Sequence, residues 1–277
     1  MSIVIGIDSG INATKIVGIE NGTRIMSTLS VKSEDHISSI YGALGKFIHI
    51  NNVDTDNIEQ LVLTGVGATH IDKPILNLPT QQVNEFKANG LGARFDSGLD
   101  HIIVVSMGTG TSLVRVDDDE ITHIGGIGMG GGTLLGLSKL LLHTTNISDL
   151  LNWSEEGTAF DVNLTLYDVY NDYNGDLDPF ATASLFAKAA EGEHSKPDIA
   201  AGLVRMVLET IGSCAVLSQR NNGCKDFVLI GSLTQFPMCK DVFRSMEQMY
   251  GVHFHIPKYA PYCTALGAAL SYRYENE

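Results

Sequence analysis

The chain has 277 residues, 44% of them hydrophobic and 18% charged, and carries a formal charge of −14 from 32 acidic and 18 basic residues. That size accommodates one large domain or two ordinary ones with an ample core. The acidic balance excludes a basic stripe for a nucleic-acid backbone, though not a nucleotide, whose charge backbone N–H groups and a metal ion can meet locally. Cys214, Cys224, Cys239 and Cys263 form no CxxC pair and read as reduced thiols. The opening Met1-Ser2-Ile3-Val4-Ile5-Gly6 has no basic segment and reads as a strand, not a signal peptide. With no apolar run approaching the roughly 18 residues of a membrane span, the expectation is a soluble, cytoplasmic protein without membrane or nucleic-acid partners.

In chain order, Ile3 to Ile7 predicts a strand ending at Asp8-Ser9-Gly10. Strands over Lys15 to Glu20 and Arg24 to Val31 follow, joined by Asn21-Gly22, a strong hairpin signal. Ile37, Tyr41, Leu44 and Ile48 recur at helical spacing. Leu61 to Thr64 is a strand entering the Gly65 turn, and a helix is expected near Val83 to Ala93. The pattern then restarts. Ile102 to Val105 is a strand ending in Gly108-Thr109-Gly110, and Thr111 to Val116 and Ile121 to Ile124 pair around Asp117-Asp118-Asp119, read as a solvated acidic hairpin tip. Helices are expected at Leu134 to Leu142 and Ala200 to Ser218. A strand from Phe227 to Ile230 ends at Gly231-Ser232, Val252 to Ile256 forms a last strand with His253 and His255 on one ordinary face, and Ala265 to Tyr274 forms a last helix.

Two units of strand, glycine turn, strand, strand and helix imply duplication at the level of fold. Mixed sheets of this kind place ligands beyond the carboxyl ends of strands, so the turns after Ile7, Val105 and Ile230 should face one cleft. The architecture resembles the actin, sugar kinase and Hsp70 superfamily. It implies two ribonuclease H-like α/β domains, 1–100 and 101–277, of duplicated mixed sheets with flanking helices and a nucleotide cleft between them. By that resemblance Asp8 organises Mg²⁺, while Gly10, Asn12 and Lys15 belong to the first phosphate loop. Gly108, Thr109, Gly110, Thr111 and Ser112 form the second, and Gly231 and Ser232 form the adenosine turn.

Ile124 to Thr133 contains six glycines in ten residues, a density that costs backbone entropy and signals close backbone approach. Its spacing from Gly108-Thr109-Gly110, with Gly175-Asp176-Leu177, Thr182-Ala183-Ser184-Leu185-Phe186 and the closing Ala265-Leu266-Gly267-Ala268, resembles type II pantothenate kinase. That resemblance implies ATP and Mg²⁺ as cofactors, pantothenate as acceptor and a homodimer. It makes Glu85 of Glu85-Phe86 the general base, since a primary alcohol is a poor nucleophile at neutral pH. It puts Ser112, His123 and Gly126 on the acceptor side, and gives the glycine run the tasks of helix packing and lining the acceptor pocket. Three positions depart from the family pattern: Ile11-Asn12 replaces Gly-Thr, Lys87 follows Glu85-Phe86 where an acidic residue is usual, and His123 stands in place of an arginine. The residues leave open a kinase of the same fold for another small alcohol or amino sugar. They also leave open a partner-coupled ATPase resembling the activators of radical dehydratases.

Overall fold

The computed structural model describes residues 2–170, 175, 178–219 and 223–274; Asp176 and Leu177 of the Gly-Asp-Leu segment lie outside them. The first half comprises β1 (Ile3–Ser9), β2 (Ala13–Glu20), β3 (Arg24–Lys32), α1 (His36–Asn51), β4 (Ile58–Thr64), β5 (Thr80–Gln82) and α2 (Glu85–Ser97). The second continues with β6 (His101–Met107), β7 (Thr111–Asp117), β8 (Glu120–Ile127), α3 (Gly131–Leu142), α4 (Ile147–Glu156), β9 (Leu164–Thr165), α5 (Leu166–Val169) and β10 (Thr182–Ser184). It ends with α6 (Lys196–Gln219), β11 (Asp226–Ile230), α7 (Met238–Tyr250), β12 (His253–His255) and α8 (Cys263–Tyr274).

Two five-stranded sheets share one plan. The orders β3-β2-β1-β4-β5 and β8-β7-β6-β11-β12 match strand for strand, three antiparallel strands followed by two parallel ones. The duplication expected from the sequence is therefore present in the topology. Local chemistry sets the joints. Asn21 and Gly22 take φ of 46° and 93° in the three-residue turn that the Glu20–Arg24 pair closes, left-handed conformations that asparagine and glycine adopt most readily. Helix α1 starts where the Asp35 side chain accepts from the Ser38 N–H at 2.7 Å and buries Ile40, Ala43, Leu44 and Phe47 on one stripe.

Each sheet buries both faces, and two helices are exchanged between the halves. Ala265, Leu266 and Ala268 to Leu270 of α8 pack on Val4, Val17, Ile19 and Val62 of the first sheet. Ala93 of α2 packs on Ile102, Val104, Val114, Val116, Val228 and Ile230 of the second. The two helices touch backbone to backbone, since a Cβ on Gly267 would lie 1.8 Å from the Ala88 carbonyl oxygen and one on Gly92 would lie 1.9 Å from that of Cys263. Only glycine at both positions permits this crossing.

One expectation changes and one is refined. Helix α6 is by length and composition apolar enough to cross a membrane, contrary to the reading that no such run exists. Its Leu203, Val204, Val207, Leu208 and Ile211 lie in the core of the second half, and a helix apolar nearly all round is what a core helix needs. The acidic hairpin tip is partly neutralised: Arg94 of α2 binds Asp100 and Asp119 at 2.7 and 2.9 Å and donates to the Asp118 carbonyl at 2.8 Å. His253 and His255 share a strand, with His255 Nε2 2.8 Å from Asp226 Oδ1. All four cysteines are free thiols.

Candidate active site

The carboxyl ends of β1, β6 and β11 open into one cavity of about 790 Å³. The three strand-terminal turns meet there, as the duplicated plan requires. Asp8, Gly10, Asn12 and Lys15 line it from the first sheet, and Gly108, Thr109, Gly110, Thr111 and Ser112 from the second. Gly231 and Ser232 line it at the end of β11, and Glu85 of α2 with His123 and Gly126 of β8 line it as well. Every residue expected from the sequence to bind nucleotide, metal or acceptor or to act as base lines this one space, whereas Thr182, Ala183, Ser184 and Leu185 line a separate pocket with Glu209 and Cys214.

The first-sheet side is built from side-chain charge. Asp8 and Lys15 are paired directly across β1 and β2, which puts carboxylate and ammonium on the same face. Burial pushes Asp8 up to about 6, with Lys15 pulling the other way and Glu85 adding to the rise. Burial also lowers Lys15, opposed by Asp8 and Cys263. A deep carboxylate held this far above its ordinary value is short of positive charge, so the donor present fits a divalent cation. Gly65 makes the position possible. Its φ is 83° and a Cβ there would stand 2.7 Å from Asp8 Oδ1, so a side chain would collide with the carboxylate.

Glu85 is the first residue of α2, whose cap is Asn84: its side chain accepts from the Phe86 and Lys87 N–H groups at 2.9 and 3.3 Å. The Glu85 carboxyl is open to the cavity lumen yet flanked by protein, and that desolvation raises its pKa. Its neighbour Phe86 stacks on His123, ring centroids 3.8 Å apart and planes 9° from parallel.

A bulge in β8 aims that wall. Val114 pairs with His123 but Leu113 pairs with Gly125, leaving Ile124 as the extra residue, and Gly125 takes φ 149°. Without it, strand alternation would put His123 and Gly126 on opposite faces. With it, both face the cavity. Gly126 also lies against β7, where a Cβ would be 2.7 Å from the Thr111 carbonyl oxygen.

The rest of the glycine run does something the sequence did not reveal. The Gly131 and Gly132 N–H groups donate to the Gly108 and Thr109 carbonyls at 2.8 and 2.9 Å. Thr111 Oγ1 donates to the Met129 carbonyl at 2.8 Å. A Cβ on Gly130 would lie 2.6 Å from the Thr109 oxygen and 2.8 Å from Gly110 Cα. The first donors of α3, the groups a helix start normally offers to an anion, are thus spent on the second loop itself. Gly128 and Gly131 line the cavity, but the run chiefly braces the loop. The tight approach was legible as glycine density; its target was not.

Other wall residues carried no sequence signal. Ile147 and Leu151 of α4 with Leu134 and Leu135 of α3 give an apolar stretch, and Gln235, Phe236 and Tyr262 complete the wall. At the end of β11, Gly231 has φ 98°, and a Cβ there would stand 2.4 Å from the Met107 carbonyl oxygen. Gly231 is thereby held against the end of β6.

Paired five-stranded sheets of one plan, with a cleft where their strand ends converge, define a protein of the actin-like ATPase fold. A family model described as Fumble matches residues 98–271, and the chain belongs to that family. It is 28% identical over 240 residues to the type II pantothenate kinase of Bacillus thuringiensis subsp. konkukian (strain 97-27), covering 84% of this chain and 83% of that one. Among solved structures, the (R)-2-hydroxyglutaryl-CoA dehydratase component A of Acidaminococcus fermentans superposes with a TM-score of 0.72 at 21% identity, covering 100% of both chains. The activator of the 2-hydroxyisocaproyl-CoA dehydratase from Clostridium difficile, with bound ADPNP, gives 0.70 at 19% identity, covering 99% of this chain and 95% of that one. Identities this low carry the fold and not the activity.

Proposed function

We propose that this protein phosphorylates pantothenate at its primary alcohol with ATP, giving 4′-phosphopantothenate, the first step toward coenzyme A. The observation that carries the reading is the convergence of Asp8, Lys15 and Glu85 on one cavity with both glycine loops. The kinase name of the relatives supports it. In this reading residues 1–100 and 101–277 act as two domains around the cleft, with α2 and α8 exchanged, in a cytoplasmic homodimer.

Asp8 would hold Mg²⁺, which supplies positive charge beside the phosphates when bound. Lys15 adds a second positive charge, and Gly10 and Asn12 shape the loop around it. The Thr109 and Gly110 backbone with the Ser112 hydroxyl receive phosphate oxygens; Thr111, whose hydroxyl is spent on the Met129 carbonyl, holds the loop in place, and the Gly108 N–H is occupied within the loop by the Gly110 carbonyl at 2.9 Å. The Gly231-Ser232 turn borders the nucleoside. Glu85 accepts the alcohol proton as the new O–P bond forms; desolvation raises its pKa, which strengthens it as a base. Ser112, His123 and Gly126 bound the acceptor.

Transfer of labelled phosphate from ATP to pantothenate, pantetheine and amino sugars, with Glu85→Gln alongside, tests this. Product with either pantothenate-type acceptor, lost in the variant, is expected. ATP hydrolysis without transfer to any alcohol would favour a partner-coupled ATPase instead.

A further inference from the structure

Three buried polar groups lie behind the first phosphate loop, on the side away from the cavity. Strand alternation turns Asp8 toward the cavity and Ser9 toward α1, whose Ile40, Leu44 and Phe47 pack with Ile3, Ile5, Ile7 and Ile16. Ser9 is 1% exposed, and Thr14, its partner across β1 and β2, is buried on the same face. Neither hydroxyl has a hydrogen-bond partner among the described residues, and neither has the buried Nδ1 of His36. Leaving such groups unpaired is costly, so three behind one loop point to a shared arrangement. Gly67 brings two of them together. A Cβ there would stand 2.1 Å from Ser9 Oγ and 2.8 Å from His36 Nδ1. Both atoms therefore crowd one point, within reach of each other by rotation about Ser9 χ1 or through one water. His36 is the first residue of α1, and its ring stacks on His70 with centroids 5.6 Å apart and planes 16° from parallel. His70 ends the 3₁₀ turn Val66–His70, which Gly65 caps. His36 thus stands beside both segments that fix Asp8: its own strand end and the Gly65 turn.

We propose that His36 is a positioning residue for the first phosphate loop. Its Nδ1 and the Ser9 hydroxyl, with Thr14 behind, form one hydrogen-bonded unit that ties the start of α1 to the strand end carrying Asp8. A hydroxyl both donates and accepts, and Thr–Ser pairs bond across strands. The chain Thr14, Ser9, His36 can therefore run toward the ring nitrogen or away from it, whichever proton the ring carries. The link itself rests on packing, and its kinetic consequence rests on the kinase reading above. Asp8 has to present its carboxylate at one place beside the phosphates, and small displacements of such a group cost rate steeply.

The test is steady-state phosphate transfer from ATP by the wild type, Ser9→Ala, His36→Leu, His36→Asn and the Ser9→Ala/His36→Leu double variant. His36→Leu should lower kcat by about tenfold and leave the KM of the acceptor unchanged. His36→Asn, whose amide puts a polar atom where Nδ1 stands, should recover most of that loss. The double variant should be no slower than the slower single one, since both changes break the same unit. Full kcat in His36→Leu, no recovery in His36→Asn, or single effects that multiply would each overturn the inference and leave the kinase reading standing. A wild type that transfers no phosphate removes the kinase reading instead. The link is then decided by a high-resolution crystal structure of the wild type, as it is if a variant fails to fold. Ser9 Oγ and His36 Nδ1 should lie within about 3.2 Å or share one water; doing neither overturns the link.

Discussion

The two walls of the cavity that the paired sheets supply share a topology and differ in chemistry. The first sheet presents charged side chains from strand positions, Asp8 facing Lys15. The second presents backbone and hydroxyls from Gly108 to Ser112, held from behind by Gly130 to Gly132. Duplicated strands therefore do not imply duplicated function. One copy keeps a buried charge pair in a strained electrostatic state, and the other has rigid dipoles whose orientation depends on packing. The first should be sensitive to charge and pH, the second to volume.

The largest effects should come from deleting the carboxylates. Glu85→Gln should lower kcat by about 10²–10⁴-fold with little change in Tm, the range typical of a lost general base. Asp8→Asn should lower phosphate transfer at least as far. A Glu85→Gln protein with near-wild-type turnover would remove the chemical side of the contrast.

Next comes volume. Gly130→Ala puts a Cβ against the Thr109 and Gly108 oxygens and Gly110 Cα, atoms of backbone that cannot swing away. Displacing the loop should cost on the order of 10²-fold in kcat/KM for ATP and about 1–3 kcal/mol of stability. If nucleotide kinetics are unaltered in a folded Gly130→Ala protein, the bracing role is wrong.

Acidification should split activity from stability. With Asp8 raised to about 6 and Glu85 raised as well, kcat/KM should fall below pH 6 by about tenfold per unit for each group required as its anion. Stability of the unliganded protein should respond the other way. A carboxylate with a raised native pKa contributes stability that is full below its unfolded value and is lost as pH rises through about 6. Tm measured from pH 7.5 to 5 should therefore include an upward component for the wild type that Asp8→Asn lacks. Identical Tm profiles for the two proteins would mean Asp8 is not held in the state described.

The smallest effect is a control inside the same glycine-rich region. Gly136 lies within α3, and a Cβ there meets nothing within 4 Å. Gly136→Ala should stabilise by about 0.5–1 kcal/mol through helix propensity and leave the kinetics alone. A loss of activity there would spread the bracing role along the whole helix.

Much of this was readable in the chain because strand-terminal glycines leave a mark. Ile7, Val105 and Ile230 each precede a turn, and their turns do share a cavity. Gly65 was visible as a turn, but its contact with Asp8 depends on which strands lie side by side. The β8 bulge was hidden, since its signature is one unpaired Ile124 in an otherwise regular strand. Helices α4 and α7 also escaped. The α7 stripe of Cys239, Val242, Phe243 and Met246 has helical period, yet it lies in a segment rich in polar residues. Composition could not disclose that α2 and α8 pack on each other's sheets, because a helix buried through alanine, glycine and leucine has no address until it meets a surface.

The Gly92–Gly267 crossing has a consequence for how the protein is made. The face of the first sheet formed by Val4, Val17, Ile19 and Val62 is covered by α8, which is synthesised after every other described element. Until residues 263–274 leave the ribosome, that face is apolar, exposed and open to wrong partners. The amino-terminal half cannot mature as it emerges, because the inner face of its own sheet waits for a helix made more than 160 residues after that half is complete.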